Sequence, residues 1–212
     1  ATVTLLSENS GEGYKKYRNL RPFGMLANSL DFGGDDDLLP MMIKYTYDKT
    51  PYGDAEEKEK PVIIEFPEEE IKQNWITNWQ PFDNVSALKA SNRYCANCIA
   101  VKRRSLGIVP GLELTPRQIH YAARMEHNRW LTEKLLIGFR APTPAERKQI
   151  KADQKYRALL KERLVHEDIQ SYDELGFDDK NIDVRVYDKH ISCAFPFMIK
   201  AYEELRSKSC QT

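Results

Sequence analysis

A carboxylate stands in the middle of an apolar helical stripe in this chain. Thr115-Pro-Arg-Gln118 opens a helix with a capping-box pattern, and Pro116 takes the first helical position, where a missing N–H costs nothing. At ~100° per residue, Ile119, Ala122, Ala123, Trp130 and Ile137 fall along one side of that helix. Glu126 lies within the stripe, with His127 and Arg129 on its shoulders. An unpaired carboxylate buried there would cost several kcal/mol, comparable with a whole domain's margin of stability. Glu126 therefore either has a dedicated partner or borders a pocket. Asn92 interrupts the apolar stripe of the preceding helix in the same way and can donate two hydrogen bonds, which makes it one nominee; Arg185 and Lys180 are the others.

The rest of the chain reads as mainly α with a few short strands. Residues 2–7 have the composition of a strand, and residues 11–16 that of a loop. Leu38 to Tyr47 carries a short helical pattern that ends at Thr50-Pro51. Residues 54–60 are charged and nearly devoid of apolar side chains, the signature of an exposed, flexible acidic loop. Val62-Ile-Ile-Glu-Phe66 suits a strand kept short by Pro61 and Pro67. Helices are expected over 86–105, ended by Gly107, and over 116–137, ended by Gly138. Thr143-Pro-Ala-Glu146 repeats the capping box and opens a charged helical insert over 141–164. A further helix should start near Asp178 and reach Cys193, with Pro196 interrupting it before a last short helix through Leu205. The expected organisation is an N-terminal segment over 1–66, the end of a preceding domain plus the acidic loop, followed by a helical domain over 67–212.

Within that helical domain, Glu126-His127-x-Arg129-Trp130 is followed by Gly138-Phe139. Then come His166-x-x-Ile169-x-x-Tyr172-x-x-Leu175 and Lys180-x-x-Asp183. This series resembles the ryanodine-receptor (RyR) domain family, in the manner of its bacterial and phage members. Phe139 stands where that family usually has Trp, the second glycine of its motif is absent, and Glu167 and Ser171 occupy positions where prolines are common. The resemblance implies a helical RyR-repeat-like fold. It also implies a peripheral, non-catalytic module that regulates or senses by binding a nucleotide-like or drug-like ligand. By the family pattern, the segment carrying His166 and Tyr172 folds back over the helix of Glu126.

Composition narrows the function classes. The 32 basic and 32 acidic residues cancel, so net charge does not favour nucleic acid or an anionic membrane. No apolar run approaches the ~18 residues that span a bilayer, and no signal-peptide pattern opens the chain, which points to a cytoplasmic protein with no membrane insertion. The chain opens on Ala1, so it reads as an excerpt whose parent chain is itself an expected partner. Cys95-Ala-Asn-Cys98 has the spacing of a zinc or redox half-site. Cys193 and Cys210 supply no second close pair, however, and Cys95 shares a helix face with Leu88, Ile99 and Leu106, as a packed core cysteine would. No metal and no cofactor is implied.

Three functions compete. Catalysis would use His127 and His166 with Glu126 and Asp168 as general base and orienting acid, but the sequence has no nucleophile elbow, phosphate-cradling loop or paired metal ligands. The basic residues of the insert, Arg147 to Arg163, could hold nucleic acid phosphates, yet only Tyr156 interleaves them, and a solvated helix face explains them as well. The remaining class is a binding module. Glu126, His127, Arg129, Trp130, His166, Tyr172 and Asn92 combine aromatic faces with converging polar groups, the mixture found in small-molecule pockets. On this reading a planar, nucleotide-derived ligand stacks on an aromatic face while Arg129, at the rim, takes its phosphate. The runner-up is a purely structural protein-interaction domain; a hydrolase or transferase is a distant third.

Overall fold

The computed structural model describes residues 3–6, 20–23, 37–49, 63–77, 85–177 and 183–209. The chain divides into two compact units, residues 1–38 and 39–212. In the first unit, β1 (Val3–Leu6) pairs in parallel with β2 (Leu20–Phe23), Val3 opposite Leu20 and Leu6 opposite Phe23. The strand expected at 2–7 is β1; β2, which carries Pro22, was not expected. The loop at 11–16 and the acidic stretch at 54–60 lie outside the described residues.

The protein is mainly helical, and the second unit holds the helices: α1 (Leu38–Lys49, all but its first residue), α2 (Glu68–Thr77), α3 (Val85–Leu106), α4 (Pro116–Leu136), α5 (Pro144–Ala152), α6 (Gln154–Glu162) and α7 (Arg185–Ser209). Helix α1, grouped by sequence with the N-terminal segment, thus belongs to the larger unit.

Helix α4 is the axis of this unit and packs against α3 and α7. Its approach to α7 is close because Ala122 and Ala123 are fully buried small residues, facing a run of α7 in which Ile191, Ala194, Phe195 and Met198 are also sealed from solvent. The capping box of α4 forms as the sequence dictates. Thr115 accepts from the Gln118 N–H, and the Gln118 side chain accepts from the Thr115 N–H. Gly138, at φ +94°, closes α4 in a conformation open to glycine.

Four expectations change. The segment 63–67 is irregular rather than a strand, and its Phe66 is buried. Helix α2 follows, unforeseen, with Glu68, Glu69 and Glu70 in its first turn, where carboxylates favour the positive end of the helix dipole. The insert is two helices rather than one: Asp153, in an extended conformation, ends α5 and caps α6 by accepting from the Lys155 N–H. Ile150, Leu160 and Val165 then bury against one another, with Tyr156 packed on them. Lastly, Pro196 does not break the final helix. Among the described residues that helix begins at Arg185, whose N–H is capped by Asp183, and runs through Pro196 to Ser209. Proline's fixed φ is itself helical, and its cost is one lost hydrogen bond to the preceding turn plus a local clash. Here Pro196 lies buried in the tightest part of the core, and its carbonyl accepts from the Gly111 N–H at 2.9 Å.

Candidate functional site

One turn of α4 separates two environments. On one side, Glu126 is almost completely buried, and its partner is neither Asn92 nor Arg185. The Lys102 ammonium of α3, equally buried, lies 2.5 Å from Glu126 Oε2, and Arg129 Nε donates to Oε1 at 2.8 Å. Arg185 instead pairs with Asp183 and donates to the Tyr172 and Leu175 carbonyls; Lys180 lies outside the described residues. The network continues along α4. Arg129 Nη1 donates to Glu133 at 2.6 Å, and Glu133 also accepts from Ser91 at 2.9 Å and Lys134 at 3.2 Å. Burial alone would push the Glu126 carboxyl up, but the Lys102 and Arg129 charges outweigh it and hold it below the usual carboxylate range. Beneath Lys102 lies the Phe195 ring, 4.5 Å from the ammonium.

The other side is a cavity of about 520 Å³, within the range of small-molecule pockets. Asn92, His127, Arg129, Trp130 and His166 all line it, so five of the seven residues singled out by sequence share one wall. Glu126 lies beneath that wall, and Tyr172 packs behind His127 with ring centroids 6.0 Å apart. The segment after the insert does return over α4, bringing His166 edge-on to Trp130 at 5.1 Å and Phe139 to 6.4 Å from His166. Arg129 fails its expected part. Both donors described above are committed to carboxylates, and its side chain is about 10% exposed, so it is a strut in the wall rather than a charge at the rim.

The histidines are differently employed. His127 Nε2 donates to the Gln170 carbonyl at 2.9 Å, and Nδ1 faces Asp188 of α7 at 3.3 Å. Burial opposes its protonation, but the Asp188 contact prevails and raises its pKa. Burial likewise raises Asp188, with His127 pulling the other way. Both ring nitrogens of His127 are thus used within the fold. His166 accepts at Nδ1 from the Asp168 N–H at 3.2 Å, and burial together with Lys161, Lys134 and Arg157 lowers its pKa to about 3, so the ring is neutral. Asp168 is pushed up to about 6 by burial and the neighbouring Glu167. Cys95 also reaches the cavity, but burial first, then Glu126, raises its thiol well above the ordinary range, far from a nucleophilic thiolate.

Sequence reading missed the basic side of this cavity. Arg157 and Lys161, one turn apart on α6, line it, as does Lys134, which sits 5.9 Å from the Trp130 ring centre and 5.7 Å from that of Phe139. Their i, i+4 spacing was visible, but the insert was read as a solvated face. Asp188 also escapes sequence reading, because α7 shows no motif at that position, and Asp168 enters it only as the acid of a catalytic reading. Among the described residues no group of three or more His, Cys, Asp or Glu is placed to hold a metal ion, and no helix is long and apolar enough to cross a membrane. Comparisons with family models, with curated proteins and with solved structures find no match to this chain.

Proposed function

We propose that this chain is a non-catalytic regulatory module, of the RyR-domain kind its motifs resemble, that binds a small planar anionic ligand of nucleotide type beside Trp130. One observation carries the reading: a cavity of ligand size lined by the paired Trp130 and His166 rings together with Lys134 and Lys161. Rings of this kind stack on a base, while ammonium groups hold a phosphate. The reactive-looking side chains favour recognition over turnover, since His127 has both nitrogens bonded and Cys95 is held as a thiol. A cytoplasmic setting belongs to the same proposal.

A second reading, a protein-interaction scaffold without a ligand, is favoured by the end of α4. Leu135, Leu136 and Ile137 are 52%, 82% and 51% exposed in succession, and exposed apolar clusters of this sort mark contact sites. A thermal-shift screen against mono-, di-, tri- and cyclic nucleotides separates the two. A ligand held at 100 times its Kd adds about 2.7 kcal/mol of stability and raises Tm visibly. No shift with any nucleotide, at concentrations up to several millimolar, leaves the scaffold reading standing.

A further inference from the structure

Most of the charge around the cavity is already spoken for. Arg129 is tied to Glu126 and Glu133, Lys44 bonds Asp48, and Arg157 lies 3.1 Å from Glu167. Lys134 is shared with Glu133 and hangs over the Trp130 and Phe139 rings. The Lys161 ammonium, on the exposed side of α6, makes no side-chain hydrogen bond or ion pair with any of the described residues, though its charge acts on Asp168 and His166. Two carboxylates, Asp168 and Asp188, face the same space. Asn92 adds an amide that is likewise without a hydrogen bond among the described residues.

From this arrangement, and resting on the ligand-binding reading above, we infer that the cavity selects a ligand with a single phosphate, a nucleoside monophosphate or cyclic monophosphate, and discriminates against polyphosphates. One phosphate is matched by Lys161 and Lys134, which line the same cavity, and the rings under Lys134 are placed to receive the base. The cation over the rings disfavours a positively charged planar group there. A second or third phosphate finds no further uncommitted cation among the described residues and must share the cavity with Asp168 and with Asp188, whose charge is only partly answered by His127, so that like charges repel there. Discrimination of this kind comes from the repulsive element as much as the attractive one. Asn92 supplies the neutral donor and acceptor that an uncharged base edge or ribose hydroxyl needs.

The test is calorimetric titration of the full chain, in magnesium-free buffer at pH 7.5, with AMP, ADP, ATP and 3′,5′-cyclic AMP and with the guanosine series. The expected result is that a monophosphate or cyclic monophosphate binds about tenfold tighter than the corresponding triphosphate, a difference of about 1.4 kcal/mol. Lys161→Met, a change at an exposed position whose fold is checked by its melt, should weaken the monophosphate about tenfold. Asp168→Asn, which keeps the side chain's shape and removes its charge, should narrow the gap between mono- and triphosphate. Triphosphates binding tighter than monophosphates to the wild type would overturn this inference and leave the ligand-binding proposal intact. Unchanged monophosphate affinity in a folded Lys161→Met would do the same. Absence of binding by every nucleotide would overturn the ligand-binding proposal and this inference together.

Discussion

The two sides of α4 use the same kinds of residue to opposite ends. Toward α3, Glu126 and Glu133 each meet at least two donors, and the Lys102 and Arg129 charges that answer them are buried with them. Toward the segment 166–168, Trp130 is half-buried, Lys134 leans over two rings, and the Lys161 side chain makes no hydrogen bond or ion pair among the described residues. Saturation distinguishes them. A buried carboxylate with both oxygens answered is a fastener between helices, whereas a cation and an amide left open on a concave wall are available to something else. The buried face should therefore break the fold when altered, and the cavity face should alter binding or pH response while the fold survives.

The sharpest way to break the contrast is at the buried face. Glu126→Ala leaves the Lys102 ammonium sealed without a counter-charge and should cost about 3–5 kcal/mol in urea unfolding. The double variant Lys102→Met, Glu126→Gln should recover part of that loss, because it removes the stranded charge along with its partner. If Glu126→Ala costs under about 1 kcal/mol, the pair is not the fastener described here. Next in size is Arg129→Ala, which frees two carboxylates at once and should cost about 2–4 kcal/mol. A rim residue would lose binding with little loss of stability, so the same unfolding curve tests its assignment as a strut.

A smaller effect separates the two titrating groups at the cavity. His166 protonates near 6.5 in an unfolded chain and only near 3 in the fold, so it removes stability as pH falls below 6.5. Asp168 moves the other way, from 3.8 to about 6, so folding binds its proton and stability rises as pH falls through 6 toward 3.8. Between pH 7 and 5 the two oppose each other and the wild-type profile should be nearly flat from this pair. His166→Asn should then gain stability on acidification relative to wild type, and Asp168→Asn should lose it, each by about 1 kcal/mol after allowing for partial solvent exposure. Parallel slopes in the two variants would show that neither group is perturbed as described. An effect of similar size concerns the insert. Replacing residues 144–162 by a short Gly-Ser linker should keep a cooperative melt at a cost of about 1–2 kcal/mol, since Ile150 and Leu160 mainly cover each other and Val165. That deletion also removes Arg157 and Lys161, so monophosphate binding should vanish even though the core melts normally.

Much of this fold was legible because its signals are local. The capping boxes at Thr115–Gln118 and Thr143–Glu146 close hydrogen bonds across three residues, so the sequence shows both partners at once. The same holds for Ala122 and Ala123 in the stripe of α4 and for the anomaly of Glu126, which announced a partner without naming one, though not for Ile137, which lies half exposed just past the helix. The candidate wall was half legible. His127, Trp130 and His166 were found through their motif spacing, while Asp188, Arg157 and Lys161 sit on helices with no motif of their own.

By itself, then, the sequence determined where helices start and stop at their caps, and that one carboxylate on α4 had to be answered. Tertiary structure alone decided that Lys102 answers it from 24 positions away, because which residues of α3 and α4 meet depends on how those helices cross. It decided too that α7 continues through Pro196: local propensity disfavours proline there, and burial among Ile191, Phe195 and Met198 overrides that preference. And it brought Lys161 to the cavity that Trp130 lines, since a basic helix face carries no mark of whether it looks out to water or into a cavity until the chain between them has folded back.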